Sequence, residues 1–157
     1  DPRHLVLHQL RYHRALGICP DCEPALLRHA GVECDPAAVA RRKGQLYREM
    51  LGELPVNFAL VTLAESVRPD MKTGLVTTAS DESVRAIMRH RNLDHVFDLV
   101  ITGNDVTRHK PDPEAYHLAL ARFQLEPREC LAFEDSAVGA ASAEAAGIAV
   151  VRVAFAR

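Results

Sequence analysis

The chain has no tryptophan, few aromatic residues (5%) and no large excess of either charge, since its 157 residues carry a formal net charge of −2. Without a basic surplus, we expect neither nucleic acid nor an anionic membrane as a partner. Long apolar runs are missing too, because the Ala-rich stretch over residues 137–151 is too short and too polar to span a bilayer. We therefore expect a soluble cytoplasmic domain, as a monomer or homodimer, with one core or a core and a small cap.

Cysteine is also scarce, and three of the four cysteines lie in the first 34 residues. Cys19, Cys22, His29 and Cys34 have a spacing that could supply zinc with a tetrahedral set of sulfur and nitrogen ligands. However, His29 falls in the last turn of a predicted helix, where a histidine complements the helix dipole without a metal. We expect reduced cysteines in a cytosolic protein, with a zinc site as the alternative.

From about Thr73 onward, short apolar runs alternate with amphipathic helical patterns. Strands are predicted over residues 74–77, 99–102, 130–133 and 148–153, and helices over residues 82–91, 113–123 and 137–146. This alternation is typical of βαβ units and predicts a parallel sheet covered by helices on both faces.

The first third of the chain has a different pattern. Residues 5–16, 23–29 and 36–51 are predicted to be helical, no convincing strand precedes Leu54, and a further helix is predicted near residues 57–66. We therefore predict a small all-helical cap over residues 1–55 and an α/β core over residues 56–157.

Two adjacent carboxylates, Glu134 and Asp135, follow a predicted strand and precede the Ala-rich helix. Ligands collect at the carboxyl ends of the strands in open α/β sheets, and magnesium takes carboxylate and phosphate oxygens. The pair is thus a candidate metal site. The alternative is that both acids only complement the dipole of the following helix, with Asp135 as its N-cap.

A hydroxyl-rich segment, Thr77 to Ser80, joins the first of these strands to its helix. Hydroxyls and unsatisfied N–H groups at a helix N-terminus favour negative charge, so the segment could bind an anion. An ordinary cap by Ser80 explains the same residues without a ligand.

Lys110 lies beyond the next predicted strand, in a segment whose backbone is stiffened by Pro111 and Pro113. A fixed point charge at that edge of the sheet could meet a phosphate. The alternative is a lysine that is simply solvated.

Taken in order, Thr78, the segment Lys110-Pro111-Asp112-Pro113 and the segment Glu134-Asp135-Ser136 resemble the motifs of the haloacid dehalogenase (HAD) superfamily. The resemblance covers about residues 60–153 and is to the phosphoglycolate-phosphatase and β-phosphoglucomutase-like subfamily, which has a small helical cap. It implies a Rossmann-like parallel sheet, phosphohydrolase activity and Mg²⁺ as the cofactor.

The resemblance also implies roles for individual residues. Thr78, with Ala79 beside it, and Lys110 bind the substrate phosphate, and Thr78 and Lys110 count as catalytic. Asp135 ligates magnesium directly, and Glu134 contacts the metal directly or through water.

The nucleophile motif of that superfamily, Asp-x-Asp-Gly-Thr, does not occur in these residues. Asp1 matches the acid that often follows the motif, so we expect the nucleophile and its strand upstream of Asp1, and a HAD core whose first strand is missing here. The histidine of the mutase-type members has no equivalent after Asp1, which favours hydrolysis over mutase chemistry.

The sequence therefore predicts a magnesium-dependent phosphatase that acts on a small phosphorylated metabolite through an aspartyl-phosphate in the complete protein. Residues 1–157 alone are expected to be inactive. The alternative is a catalytically inactive HAD-like domain that serves as a binding or regulatory module.

Overall fold

The computed structural model describes residues 4–7, 35–54 and 56–154, which include a five-stranded sheet. Its strands are β1 (His4–Leu7), β2 (Thr73–Val76), β3 (Leu99–Ile101), β4 (Cys130–Glu134) and β5 (Ala149–Arg152). They lie in the order β3-β2-β1-β4-β5, and every neighbouring pair is parallel. The predicted α/β class with a parallel sheet is confirmed.

Five α-helices are described, together with two short 3-10 turns. The helices are α1 (Pro36–Glu49), α2 (Phe58–Val67), α3 (Asp81–His90), α4 (Glu114–Phe123) and α5 (Ala137–Ala145), and the turns are Gly103–Asp105 and Pro127–Glu129. The helices α3 and α5 each begin after a serine whose side chain accepts a hydrogen bond from an N–H group of the first turn, Ser80 for α3 and Ser136 for α5. These caps explain why both helices start at the carboxyl end of a strand.

The start of the chain differs from the prediction. Residues 5–7 were expected in a helix, but His4–Leu7 form β1, which pairs with β2 on one side and β4 on the other. The expectation of a sheet that lacks its first strand is therefore wrong, because β1 occupies the central position. A central parallel strand is buried on both faces and favours a short continuous apolar run such as Leu5-Val6-Leu7, which periodicity alone does not distinguish from a helix segment.

Residues 8–34 lie outside the described residues. The predicted helix over residues 23–29 and the candidate zinc ligands Cys19, Cys22, His29 and Cys34 fall in this stretch. The division into a cap of residues 1–55 and a core of residues 56–157 stays a prediction, except that β1 lies in the core sheet.

The sheet is packed on both faces, as the βαβ pattern predicts. Leu75 and Val76 are neighbours in β2 and both are fully buried, since one faces α2 and α3 and the other faces α4 and α5. Burial of a leucine or valine side chain contributes roughly 1.5–3 kcal/mol, so the two layers hold the strands in register. None of the helices in the described ranges is long and apolar enough to cross a membrane.

Arg91 ties the chain that returns from α1 to the α/β layer. Its guanidinium donates hydrogen bonds to the carbonyl oxygens of Gly52 at 2.7 Å and Leu54 at 3.1 Å. Nearby, the exposed Arg48 of α1 forms an ion pair of 2.7 Å with Glu82 of α3. These contacts fix α1 beside the helix that follows β2, and therefore near the end of the sheet that carries the predicted site.

Candidate active site

The predicted site residues meet at the carboxyl edge of the sheet. Leu7 at the end of β1 pairs with Leu75 of β2 and with Phe133 of β4. The residues that follow β2, Thr77 and Thr78, and those that end or follow β4, Glu134 and Asp135, therefore lie on either side of the central strand. Parallel strands produce this arrangement because all of their carboxyl ends point the same way.

Lys110 links the two sides. Its ammonium donates hydrogen bonds to Glu134 Oε1 at 2.6 Å, to the carbonyl oxygen of Val76 at 3.1 Å and to the hydroxyl of Tyr116 at 3.3 Å. The Lys110 side chain is only 3% exposed and that of Glu134 is fully buried. The reading of Lys110 as a solvated lysine is thus excluded, because all three ammonium donors have partners inside the protein.

Burial is the largest influence on the pKa of the Lys110 ammonium. It lowers the pKa of Lys110 from 10.5 to about 8, although the nearby carboxylate of Glu134 opposes the change. At pH 7 most of the lysine therefore still carries its charge. The geometry and the charge together make a buried ion pair.

Tyr116 is one member of the site that sequence reasoning missed. It is fully buried in α4, its hydroxyl is hydrogen-bonded to Glu134 Oε1, and Lys110 Nζ lies 4.7 Å from the centre of its ring. Burial, and then the Glu134 carboxylate, raise the pKa of Tyr116 well above 10, so the hydroxyl keeps its proton and donates to the carboxylate. The available signal was a tyrosine on the apolar side of the helix after Lys110, since a buried hydroxyl needs a polar partner.

Gly139 in α5 makes room for the Glu134 carboxylate. A Cβ atom at this position would lie 2.0 Å from Glu134 Oε2, far inside van der Waals contact. The glycine is therefore needed for close approach, and its position in the first turn of α5 places that turn directly against the carboxylate. Sequence reasoning assigned no role to this residue.

The segment after β2 is fixed by bonds to the end of β3. Thr77 N donates to the carbonyl oxygen of Ile101 at 2.9 Å, and Gly103 N donates to the carbonyl oxygen of Ala79 at 2.9 Å. A Cβ atom on Gly103 would come within 2.5 Å of the carbonyl oxygen of Thr78. The half-buried Thr78 therefore sits on a backbone with little freedom to shift.

Ala79 differs from what an anion pocket of free amides would require. Its N–H donates to Thr77 Oγ1 at 3.1 Å, and the residue is buried. An anion that used this amide would have to displace the threonine hydroxyl. Ala79 as a substrate ligand stays a prediction.

Asp135 is half-buried directly after β4, and its carbonyl oxygen accepts a hydrogen bond from Arg152. In the part of the chain that the structure describes, no group of three or more His, Cys, Asp or Glu side chains could hold a metal ion. Glu134 and Asp135 are hard oxygen donors, and two such ligands fit magnesium, which keeps several waters and takes the rest from phosphate. Because Glu134 Oε1 already binds Lys110 and Tyr116, Asp135 is the better candidate for direct ligation.

Comparisons with known proteins agree on one family. Residues 53–153 match the family of haloacid dehalogenase-like hydrolases. The fructose-1-phosphate phosphatase YqaB of Escherichia coli is 31% identical over 129 residues, which are 82% of this chain and 69% of that protein. A phosphorylated carbohydrates phosphatase of Thermotoga maritima is 33% identical over 110 residues, which are 70% of this chain and 50% of that protein.

Solved structures show the same fold. A β-phosphoglucomutase from Clostridium difficile superposes with a TM-score of 0.77 at 14% identity, over 99% of this chain and 86% of that chain. A hydrolase from Pseudomonas syringae gives a TM-score of 0.77 at 16% identity, over 96% of this chain and 84% of that chain. At such low identity, these likenesses concern the fold alone.

Gly139→Ala tests the close approach of α5 to Glu134. The new methyl group would overlap the carboxylate, so we expect a loss of stability of about 1–3 kcal/mol, as for an overpacked core. The matched control is Gly44→Ala in α1, where the nearest atom to a new Cβ lies 3.6 Å away and a gain of about 0.5–1 kcal/mol is expected. Urea unfolding measures both, and a Gly139→Ala variant as stable as the parent would contradict the described packing.

Proposed function

Because the chain belongs to the haloacid dehalogenase-like hydrolase family, we propose that the complete protein acts as a magnesium-dependent phosphohydrolase on small phosphomonoesters. The observation that carries the proposal is the buried lysine held between the carboxyl ends of two neighbours of the central strand, beside an acidic pair. A cation and two carboxylates at one edge of a parallel sheet can bind a phosphate and a metal together.

Thr78 and Lys110 are the proposed phosphate ligands. The Thr78 backbone is fixed against β3, and Lys110 reaches the carbonyl oxygen of Val76, two residues before Thr78. To bind a phosphate, the ammonium must exchange at least one of its three internal partners for a phosphate oxygen. A charge-assisted bond to a dianion favours that exchange.

Asp135 is the proposed direct ligand of magnesium, with Glu134 as a direct or water-mediated contact. Bound magnesium would supply positive charge beside the phosphoryl oxygens. Tyr116 and Lys110 hold the Glu134 carboxylate at this edge of the sheet, next to Asp135.

The chemistry that we propose is transfer of the phosphoryl group from the phosphomonoester to a carboxylate, which breaks the ester P–O bond, releases the alcohol and gives an aspartyl-phosphate; water then hydrolyses it to inorganic phosphate and the free carboxylate. Lys110 and Thr78 would stabilise the charge on the equatorial oxygens. The attacking carboxylate is expected from an Asp-x-Asp motif, which residues 1–157 do not contain.

Sugar phosphates are the substrate class that we propose. The named relatives include phosphatases of fructose 1-phosphate, of phosphorylated carbohydrates and of validoxylamine A 7′-phosphate. We further propose that the protein works in the cytoplasm as a monomer or homodimer, without nucleic acid or membrane as a partner.

The second candidate is a domain that binds phosphate without turning over a phosphomonoester. One observation favours it: β1 fills the centre of the sheet, and the residue that follows β1 in the sequence is His8 and not an aspartate. The two candidates share the phosphate site and differ in turnover.

Turnover of a generic aryl phosphate by the complete protein separates them and tests the metal. If the phosphohydrolase proposal is correct, turnover requires Mg²⁺, stops in a chelator and falls on the order of 10²-fold in Asp135→Asn, because a carboxamide keeps the shape of the ligand but loses its charge. Asp94→Asn, at an exposed acid, is the control and should retain activity. Turnover that persists in chelator would refute magnesium dependence, whereas phosphate binding with no turnover would favour the second candidate.

Lys110→Met tests the phosphate ligand apart from the fold. We expect inorganic phosphate to bind about tenfold to 10²-fold more weakly, since a hydrogen bond to a charged group contributes about 1.5–3 kcal/mol. The variant should also lose about 3–5 kcal/mol of stability, because the Glu134 carboxylate stays buried without its cation.

A double variant separates these two losses. Lys110→Met with Glu134→Gln removes both charges and should recover most of the stability but not the phosphate affinity, measured by urea unfolding and calorimetric titration. Lys72→Met is the control lysine and should bind phosphate as the parent does. A loss of affinity below about fivefold in Lys110→Met, roughly 1 kcal/mol, would mean that the phosphate is held elsewhere.

A further inference from the structure

The segment that carries Lys110 is fixed at its start by an acid outside the ion pair. We call residues 107–113, between the 3-10 turn after β3 and the start of α4, the anchor loop. Glu114, the first residue of α4, folds its side chain back over this loop. One carboxylate oxygen accepts a hydrogen bond from Thr107 N at 2.8 Å, and the other accepts bonds from Arg108 N and Arg108 Nε, each at 3.0 Å.

The end of the anchor loop is held as well. Asp112 Oδ1 accepts a hydrogen bond from Glu114 N at 3.0 Å, and the carbonyl oxygen of Asp112 accepts one from the Ser142 hydroxyl at 2.7 Å. Ser142 is fully buried in α5. The anchor loop is therefore held by hydrogen bonds on both sides of Lys110, through Glu114 before it and through Asp112 after it.

Glu114 differs from an acid that merely complements a helix dipole. Such an acid needs only to be charged and near the first turn, whereas this carboxylate is bonded to two backbone N–H groups six and seven residues earlier in the chain. Those bonds, with the Arg108 guanidinium, lower the pKa of Glu114 from 4.5 to about 2. The Glu114 carboxylate is thus ionised at any pH at which the protein would work.

We propose that Glu114 is a positioning residue for Lys110: its carboxylate fixes the anchor loop so that the ammonium reaches Glu134, Val76 and Tyr116. Only the expected effect on phosphate affinity rests on the proposed function; the effect on the position of Lys110 does not. Positional errors of about 1 Å in a binding group can cost on the order of 10²-fold, so a side chain that touches no substrate can still control affinity through the loop.

The position of Lys110 can be read without any ligand, because the chain has only three lysines, Lys43, Lys72 and Lys110. With ¹³C-labelled lysine, the three ε-methylene signals are resolvable by NMR, and the loss of one signal in Lys110→Met assigns Lys110. That signal should be displaced from its random-coil position, because Nζ lies 4.7 Å from the centre of the Tyr116 ring. The displacement reports the distance and orientation of the lysine relative to the ring.

In Glu114→Gln we expect the displacement to fall by at least about half, since a carboxamide cannot accept from both amides with the same strength. Glu65→Gln, which makes the same change at an exposed acid paired with His95, should leave the Lys110 signal where it is. A Glu114→Gln signal that coincides with that of the parent would overturn the proposal.

Glu114→Asp keeps the experiment decisive if the first variant folds poorly. It retains the charge at the start of α4 but shortens the side chain by one methylene. An interaction with the helix dipole would therefore survive, whereas the hydrogen bonds from Thr107 and Arg108 would be lost. The Lys110 signal should again move toward its random-coil position. If it does not move in Glu114→Asp, Glu114 acts only as a helix acid and the proposal is wrong.

The second readout is the affinity for inorganic phosphate in the presence of Mg²⁺. We expect about tenfold weaker binding in Glu114→Gln, with binding by Glu65→Gln equal to that of the parent. A parent that binds no phosphate would refute the proposed function, while the NMR result would still decide the role of Glu114. If the phosphate affinity of Glu114→Gln equals that of the parent, the proposed effect of Glu114 on phosphate binding is refuted.

Discussion

The ion pair between Lys110 and Glu134 is the contact on which the rest of the site depends. Both charges are removed from water, and such a pair is stable only where good geometry and further hydrogen bonds offset the loss of hydration. The protein supplies them through the carbonyl oxygen of Val76 and the hydroxyl of Tyr116. Gly139 leaves the space in which the carboxylate lies.

The ion pair and the carbonyl group that supports it come from different parts of the α/β fold. Glu134 ends β4, Val76 ends β2, and Lys110 arrives on a loop that α4 and α5 hold in place. Because the strands are parallel, their carboxyl ends meet at one edge, and the loops that follow them face one another. A cation, two carboxylates and a threonine are brought to one edge in this way, and this arrangement supports the proposed phosphate and magnesium site.

The proposed site residues could be located from the sequence. Thr78, Lys110, Glu134 and Asp135 stand at or beyond strand ends that the βαβ pattern located to within a few residues, so their position at one edge of the sheet followed from topology. The pairing of Lys110 with Glu134 could not be predicted from the sequence. The two residues are 24 positions apart, and their contact depends on how the anchor loop is held. Tyr116, Gly139 and Glu114 were missed for the same reason, because each acts through packing or a bond across the chain.

The central strand was the largest error. The apolar run Leu5-Val6-Leu7 has no distinctive periodicity, so residues 5–7 were interpreted as part of a helix over residues 5–16. The structure places those residues between β2 and β4. Both candidates depend on the same edge of the sheet.

A crystal structure of the protein grown with Mg²⁺ and inorganic phosphate would test that edge most directly. We expect phosphate oxygens within about 2.7–3.2 Å of Thr78 Oγ1 and Lys110 Nζ, with the metal ion on Asp135. Lys110 should then have given up at least one of its three internal partners. A phosphate bound elsewhere, with Lys110 still in contact with Glu134, Val76 and Tyr116, would contradict the assignment of this edge as the active site.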